Sequence, residues 1–208
     1  GVLTHAGDSY LSRSREELEA YAANEVRQIM TAANTLKAAG YTCEIISVGS
    51  TPTFTAVKDT EGVTEYRSGV GVFQDLVNVC KVKDIAISVL VTVIGHQPQK
   101  GWIITDGGWM AMSRDRGTAA QAVDWGYGLV CDETGKPIEN LWMKSANQEH
   151  GIVCSRDGSP IRPEDFPIGT RLRILPNHAC PTAAAFDKYF VVDENNNVQT
   201  IWPKINNW

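Results

Sequence analysis

The chain has 208 residues, of which 43% are hydrophobic and 21% charged, enough for one large domain or two small ones of ordinary globular usage. A formal net charge of −5 gives no basic footprint for nucleic acid or for an anionic membrane surface. No apolar run reaches the roughly eighteen residues that a membrane span needs, and no secretory leader is expected.

The five cysteines, Cys43, Cys80, Cys131, Cys154 and Cys180, are an odd number, scattered and never in a CxxC pair. They point to reduced thiols in a cytoplasmic protein rather than to a disulfide framework. The first residue is Gly1 and not methionine, so the chain is expected to begin inside a longer gene product or after processing.

Val2 to Thr4 reads as a short buried strand that ends in the polar loop "HAGDSY". The clearest helix follows: Ser14 and Glu17 have capping-box spacing, and Leu18, Tyr21, Ala22, Val26, Ile29, Met30, Ala33 and Leu36 recur every three or four residues up to a stop at Gly40. A second strand, around Glu44 to Val48, runs into "GSTPT", and "VTEYRSGVGVF" forms a third strand-and-loop unit. Strand, long helix and strand in that order predict a parallel α/β region, yet three strands with one strong helix leave an open edge: either further strands lie unrecognised in the sequence, or an upstream half that would cover the edge is expected.

From about Lys81 the texture changes. "IAISVLVTVI" (Ile85 to Ile94) is long and β-branched, the polar turn "HQPQKG" leads to "WIITD", and "ETGKP", "RDGSP" and "DENNN" punctuate later apolar runs. No long helix is evident there, which predicts an all-β domain. The division expected is 1–79 for the α/β part and 80–208 for the β domain.

Four stretches carry candidate chemistry. In "SVGSTPT", Ser50 and Thr51 follow a strand end with backbone N–H groups and hydroxyls that suit a phosphate, although a turn with a helix N-cap reads equally naturally. In "YRSGVG", Arg67 brings charge and Gly69 and Gly71 permit close backbone approach, while Val70 lies between them; glycine pairs also mark ordinary turns. His5 and Tyr10 follow the first strand, at the same expected edge, where a structural histidine is the blander reading. "PNHACP" sets His178 and Cys180 one residue apart between prolines. That is either a buried thiol beside a hydrogen-bonding imidazole or an open metal site. "NQEHG" with Glu149 and His150 reads as a polar loop, and Trp109 with the methionines of "DGGWMAMSRD" as core or interface.

Taken together, "HAGDSY", "VGSTPT", "TEYRSGVGVF", "SVLVTVIG", "DGGWMAMSRD", "ANQEHG", "GTRLRILPNHACPT" and "VQTIWP" resemble the D-serine dehydratase and D-threonine aldolase family. These are alanine-racemase-like, fold type III enzymes of pyridoxal 5'-phosphate. The likeness extends over nearly the whole chain and is strongest to the bacterial D-threo-3-hydroxyaspartate dehydratases. It implies an α/β plus β fold: the last three βα units of a (β/α)8 barrel, then a C-terminal antiparallel β domain. It implies cofactor contacts from Tyr10, Ser50, Thr51, Arg67, Gly69 and Val70, catalytic roles for His5 and Tyr10, and a divalent metal (zinc, or manganese or magnesium) on His178 and Cys180.

The family's Schiff-base lysine lies on the first barrel strand, and none of the nine lysines here matches it. The implied whole is a homodimeric ammonia-lyase that converts a β-hydroxy-D-amino acid to a 2-keto acid, with this chain inactive unless joined to an N-terminal half. A D-threonine aldolase, or a non-catalytic metal-binding β-domain fragment, is the alternative; the cysteine, where aldolases often carry aspartate, favours the dehydratase.

Overall fold

A computed structural model describes residues 1–77 and 81–205. The chain divides into two compact units, Gly1–Gln74 and Asp75–Trp208. Both Cys80 and the division expected between residues 79 and 80 lie outside the described residues.

The first unit is a three-stranded parallel sheet in the order β1 (Val2–Leu3), β2 (Ile46–Val48), β3 (Glu65–Tyr66), with Val2 opposite Ile46 and Ser47 opposite Glu65. Helix α1 (Arg15–Ala38) starts where the Ser14 side chain accepts the Glu17 N–H at 3.1 Å, while Glu17 accepts from the Arg13 N–H at 2.7 Å. It ends in a Schellman arrangement: the Gly40 N–H reaches the Lys37 carbonyl and the Tyr41 N–H the Leu36 carbonyl. Gly40 sits at φ +86°, where a Cβ would be strained. The buried stripe of α1 is Leu18, Ala22, Glu25, Ile29 and Ala33, and Ile29 and Ala33 pack with Cys43, Ile46 and Val48. The ladder of β2 is shorter than the sequence suggests, because Glu44 and Ile45 stay outside it with the Ile45 side chain 56% exposed. After β2 comes the one-turn helix α2 (Thr51–Phe54), capped by Ser50.

The second unit is a closed barrel in the order β4-β5-β8-β7-β6-β9. Its strands are β4 (Val89–Gln97), β5 (Trp102–Thr105), β6 (Gly128–Cys131), β7 (Pro137–Ala146), β8 (Gly151–Ser155) and β9 (Arg171–Pro176), and every pairing is antiparallel. Closure leaves no free edge, the usual solution for an antiparallel sheet of short strands. Alternation along β4 sends Val89, Val91 and Val93 inward, to meet Ile103, Val130, Met143, Val153, Leu172 and Ile174. The apolar run from Ile85 is thus only partly strand: Ile85 to Ser88 precede β4, after a 3-10 turn at Val82–Asp84 in which the Asp84 carboxylate accepts the Lys81 N–H. "DENNN" joins the separate hairpin β10 (Lys188–Val192) and β11 (Val198–Pro203). Helices in this unit are short: α3 (Trp109–Met112) and α4 (Ala179–Ala184).

Candidate functional site

In the second unit the chemistry gathers where β9 ends. Asn177, 2% exposed, is fixed by three hydrogen bonds: its amide donates to the Thr118 hydroxyl (2.6 Å) and the Gly126 carbonyl (2.8 Å), and its carbonyl accepts from the Thr118 N–H (3.3 Å). The next residue, His178, is the N-cap of α4, and the fully buried Asp75 accepts the Ala179 N–H at 2.8 Å, in place of a side-chain cap from His178. Pro181 fits because it lies in the first turn, where no carbonyl awaits its missing N–H. Thr182, fully buried, lies 2.6 Å from the Met112 carbonyl and 2.9 Å from that of His178, which ties α4 to α3. The imidazole and the thiol two residues later are therefore carried on a rigid corner.

His178 Nδ1 lies 2.8 Å from Asp115 Oδ2. The Cys180 side chain, hydrogen-bonded to the ring, and the Asp115 carboxylate raise His178 from its ordinary 6.5 to about 9 against the cost of burial. Asp115 reaches the ring from a bend at Ser113, which holds φ +83° and ψ 166°, a region that costs a non-glycine residue about 1–3 kcal/mol. With Nδ1 engaged by a carboxylate, Nε2 is left as the ring nitrogen for a metal, the orientation typical of histidine ligands. Imidazole nitrogen and thiolate sulfur suit zinc. No group of three or more His, Cys, Asp or Glu that could hold a metal converges among the described residues, so His178 and Cys180 stand there as a pair of donors.

"NQEHG" is the polar loop that its residues suggest. It is the β7–β8 turn, and its Asn147 and Gln148 carbonyls accept the N–H groups of Trp109 and Met110 at 2.8 and 3.2 Å. A Cβ on Gly108 would strike those same carbonyls. Glu149 and His150 are exposed, Met112 is core and Met110 is 52% exposed.

In the first unit, candidate residues collect beyond the ends of the three parallel strands. His5 Nδ1 is 2.5 Å from the Gly49 carbonyl, and its ring stacks on Tyr10 at 6.0 Å between centroids. Arg67 Nε donates to the Ser47 hydroxyl at 2.9 Å, and its Nη2 to the Thr4 carbonyl, so this arginine cross-links the sheet. Ser50 caps α2. The Thr51 and Ser68 hydroxyls, by contrast, are buried with no hydrogen-bond partner. Two orphaned hydroxyls, one in each loop beyond adjacent parallel strands, fit an anionic group such as a phosphate, because each otherwise forfeits a hydrogen bond on burial. Gly69 and Val70 open the 3-10 turn that follows Ser68.

Asp75, Asp115, Asn177 and Glu25 belong to these sites but are not among the candidates that the sequence singles out. Asp115 closes the motif "DGGWMAMSRD", whose tryptophan and methionines are its more conspicuous residues; Glu25 stands out as a carboxylate on an otherwise apolar helical stripe. Asp75 and Asn177 carry no local signal, since their partners are distant in sequence.

The family model described as "Putative serine dehydratase domain" matches residues 86–192. The chain is 52% identical to the D-threo-3-hydroxyaspartate dehydratase of Delftia sp., over all of this chain and 56% of that protein. It superposes on that enzyme's solved structure with a TM-score of 0.91 over 100% of this chain and 56% of that one. Solved mutants of the same enzyme include a cysteine-to-alanine form described as metal-free and a histidine-to-alanine form. Their substituted positions lie two apart, the spacing of His178 and Cys180; these structures are 51% identical to this chain, with TM-scores of 0.90 and 0.91. D-serine dehydratase of Dictyostelium discoideum is 30% identical over all of this chain and 54% of its own length. D-threonine aldolase of Filomicrobium marinum, 21% identical with a TM-score of 0.70 over 98% of this chain and 51% of that one, shares the fold. The chain spans about half the length of the curated relatives it matches.

Proposed function

Because the chain belongs to the serine dehydratase domain family, we propose that it is the C-terminal part of a dehydratase dependent on pyridoxal phosphate and a divalent metal. The reaction would convert a β-hydroxy-D-amino acid, D-threo-3-hydroxyaspartate or D-serine, to a 2-keto acid and ammonia. In this reading Gly1–Gln74 supplies the last three βα units of a (β/α)8 barrel, and upstream residues supply the lysine that carries the cofactor. The complete protein would be a cytoplasmic homodimer. The free thiols of Cys43, Cys131, Cys154 and Cys180 support a reducing compartment.

The observation that carries the proposal is the His178–Cys180 pair with Nδ1 held by Asp115. Dehydration must lower the acidity barrier at Cα and improve a poor leaving group, hydroxide. Pyridoxal phosphate when bound would supply an electron sink for the first, and a metal a Lewis acid for the second. His178 and Cys180 would hold that metal and leave positions open for a substrate hydroxyl. Asp115 would keep the imidazole in the tautomer that presents Nε2. Thr51, Ser68 and the backbone at Ser50, Gly69 and Val70 would hold the phosphate, with Tyr10 beside them. Arg67 would order the loop ends through Ser47 and Thr4. His5, its Nδ1 engaged with the Gly49 carbonyl, would keep Nε2 for proton transfer. Zinc is the metal favoured by the thiol.

Full-length enzyme offered D-threo-3-hydroxyaspartate, D-serine and D-threonine tests the reading. The expected products are 2-keto acid and ammonia from either of the first two. Glycine with acetaldehyde from D-threonine, and no keto acid from the others, would assign an aldolase instead.

A further inference from the structure

We infer that Glu25 is a positioning residue that sets the hydrogen-bond polarity of the loop Gly49–Thr53, so that Thr51 and not Ser50 offers its hydroxyl to a phosphate. The inference rests on the cofactor reading above and adds a residue to it.

Glu25 occupies the buried stripe of α1 and is 6% exposed. A carboxylate there costs far more than the alanine or isoleucine found at the neighbouring stripe positions, unless its oxygens are satisfied. Both are. Oε1 accepts the Gly49 N–H at 3.1 Å and Oε2 accepts the Thr53 hydroxyl at 2.7 Å. Having no hydrogen to give, the carboxylate draws the Thr53 proton toward itself. Thr53 Oγ1 then accepts from Ser50 Oγ, 2.9 Å away. The Ser50 oxygen also accepts the Thr53 N–H at 3.3 Å and faces Ser9 Oγ at 2.9 Å. Ser9, Ser50 and Thr53 are 0%, 2% and 2% exposed, so water does not compete for these groups.

The consequence is directional. Ser9 Oγ donates to the Ala6 carbonyl at 2.6 Å, so Ser9 and Thr53 both face the Ser50 hydroxyl as acceptors, and its single proton stays between them with none left for a ligand. The adjacent Thr51, also 2% exposed, keeps its hydroxyl unpartnered. A negative charge behind a phosphate loop gives no attraction to an anion, so its value lies in the geometry it imposes. Glutamine at this position has the same shape but turns an amide NH₂ toward one of two donors, the Gly49 N–H or the Thr53 hydroxyl. It must either oppose the first or reverse the relay through the second.

The test is equilibrium binding of pyridoxal phosphate and of pyridoxal, which lacks the phosphate, to the full-length protein and its Glu25→Gln variant. The expected result is a weakening of about tenfold or more for pyridoxal phosphate, equivalent to ~1.4 kcal/mol, with pyridoxal binding unchanged. Thr51→Val should show the same split. Should Glu25→Gln fail to fold, Thr53→Val, which keeps the shape and cuts the relay, carries the same expectation. Pyridoxal phosphate affinity within twofold of the parent, or an equal loss for both compounds, would overturn the inference and leave the cofactor reading standing. A parent protein that binds no pyridoxal phosphate would instead overturn the cofactor reading, and this inference with it.

Discussion

Asp115 holds His178: a carboxylate oxygen lies 2.8 Å from Nδ1, across 63 residues of sequence, and engages that ring nitrogen rather than Nε2. Asp115 is itself 58% exposed, so as a bare ion pair the contact would contribute little to stability. Its effect should appear in metal affinity instead. Outer carboxylates on ligating histidines are typically worth about 10–100-fold. Asp115→Ala should weaken zinc binding by that order while leaving the thermal midpoint of the metal-free protein nearly unchanged, as read by competition with a chromophoric chelator. His178→Ala should abolish binding at the site. Metal content unchanged in His178→Ala would remove this residue from the donor set.

Asn177 should be a stability residue rather than a catalytic one. Truncation to alanine leaves the Thr118 N–H and the Gly126 carbonyl buried without their partner, and unmade bonds of this kind cost about 1–3 kcal/mol each. Denaturant unfolding of Asn177→Ala should therefore show a loss of about 2–4 kcal/mol. A loss under about 0.5 kcal/mol would mean that water or relaxation repairs the corner.

Local rules carried much of the fold, and long-range ones carried the rest. The α1 boundaries were legible because Ser14, Glu17 and Gly40 act on backbone groups within a few residues of themselves. The turns at "ETGKP" and "DENNN" were legible for the same reason. Barrel closure was not, since the pairing of β4 with β9 joins Val89 to Ile174 and depends on no local signal. The same division runs through the candidate sites. His178 and Cys180 advertise themselves by spacing, whereas the residues that orient them, Asp75 and Asp115, are brought in by tertiary structure alone. Ser50 and Thr51 look equivalent as neighbouring hydroxyls in sequence, and it is the contacts of Ser50 with Ser9 and Thr53 that separate the N-cap from its unpartnered neighbour.

One surface carboxylate should register in acid. Asp157, in the turn after β8, is pushed down to about 2 from 3.8 by the Asn140 side chain and by the Ser159 N–H, which donates to it at 2.8 Å. A depressed carboxylate stabilises the fold above its unfolded value, and that contribution drains as pH falls from 3.8 through about 2. Asp157→Asn should thus lose less thermal midpoint than the parent between pH 4 and pH 2. Parallel curves for the two proteins over that interval would show that the turn makes no net use of the charge.

Thiol chemistry separates the proposed ligand from its neighbours. Burial, with Asp132 adding to it, pushes Cys131 up to about 11, and Cys154 is raised by burial as well, so both should resist alkylation near neutral pH while the protein is folded. Cys43 is also buried, whereas Cys180 is exposed in the first turn of α4. Iodoacetamide, followed by peptide mass analysis, should label Cys180 well before Cys43, Cys131 or Cys154 in metal-stripped protein. Zinc added before the reagent should slow labelling of Cys180 at least tenfold, because a coordinated thiolate is masked, and the slowing should vanish in His178→Ala. Equal labelling of Cys180 with and without zinc would remove its sulfur from the metal site and, with it, the strongest support for the dehydratase reading.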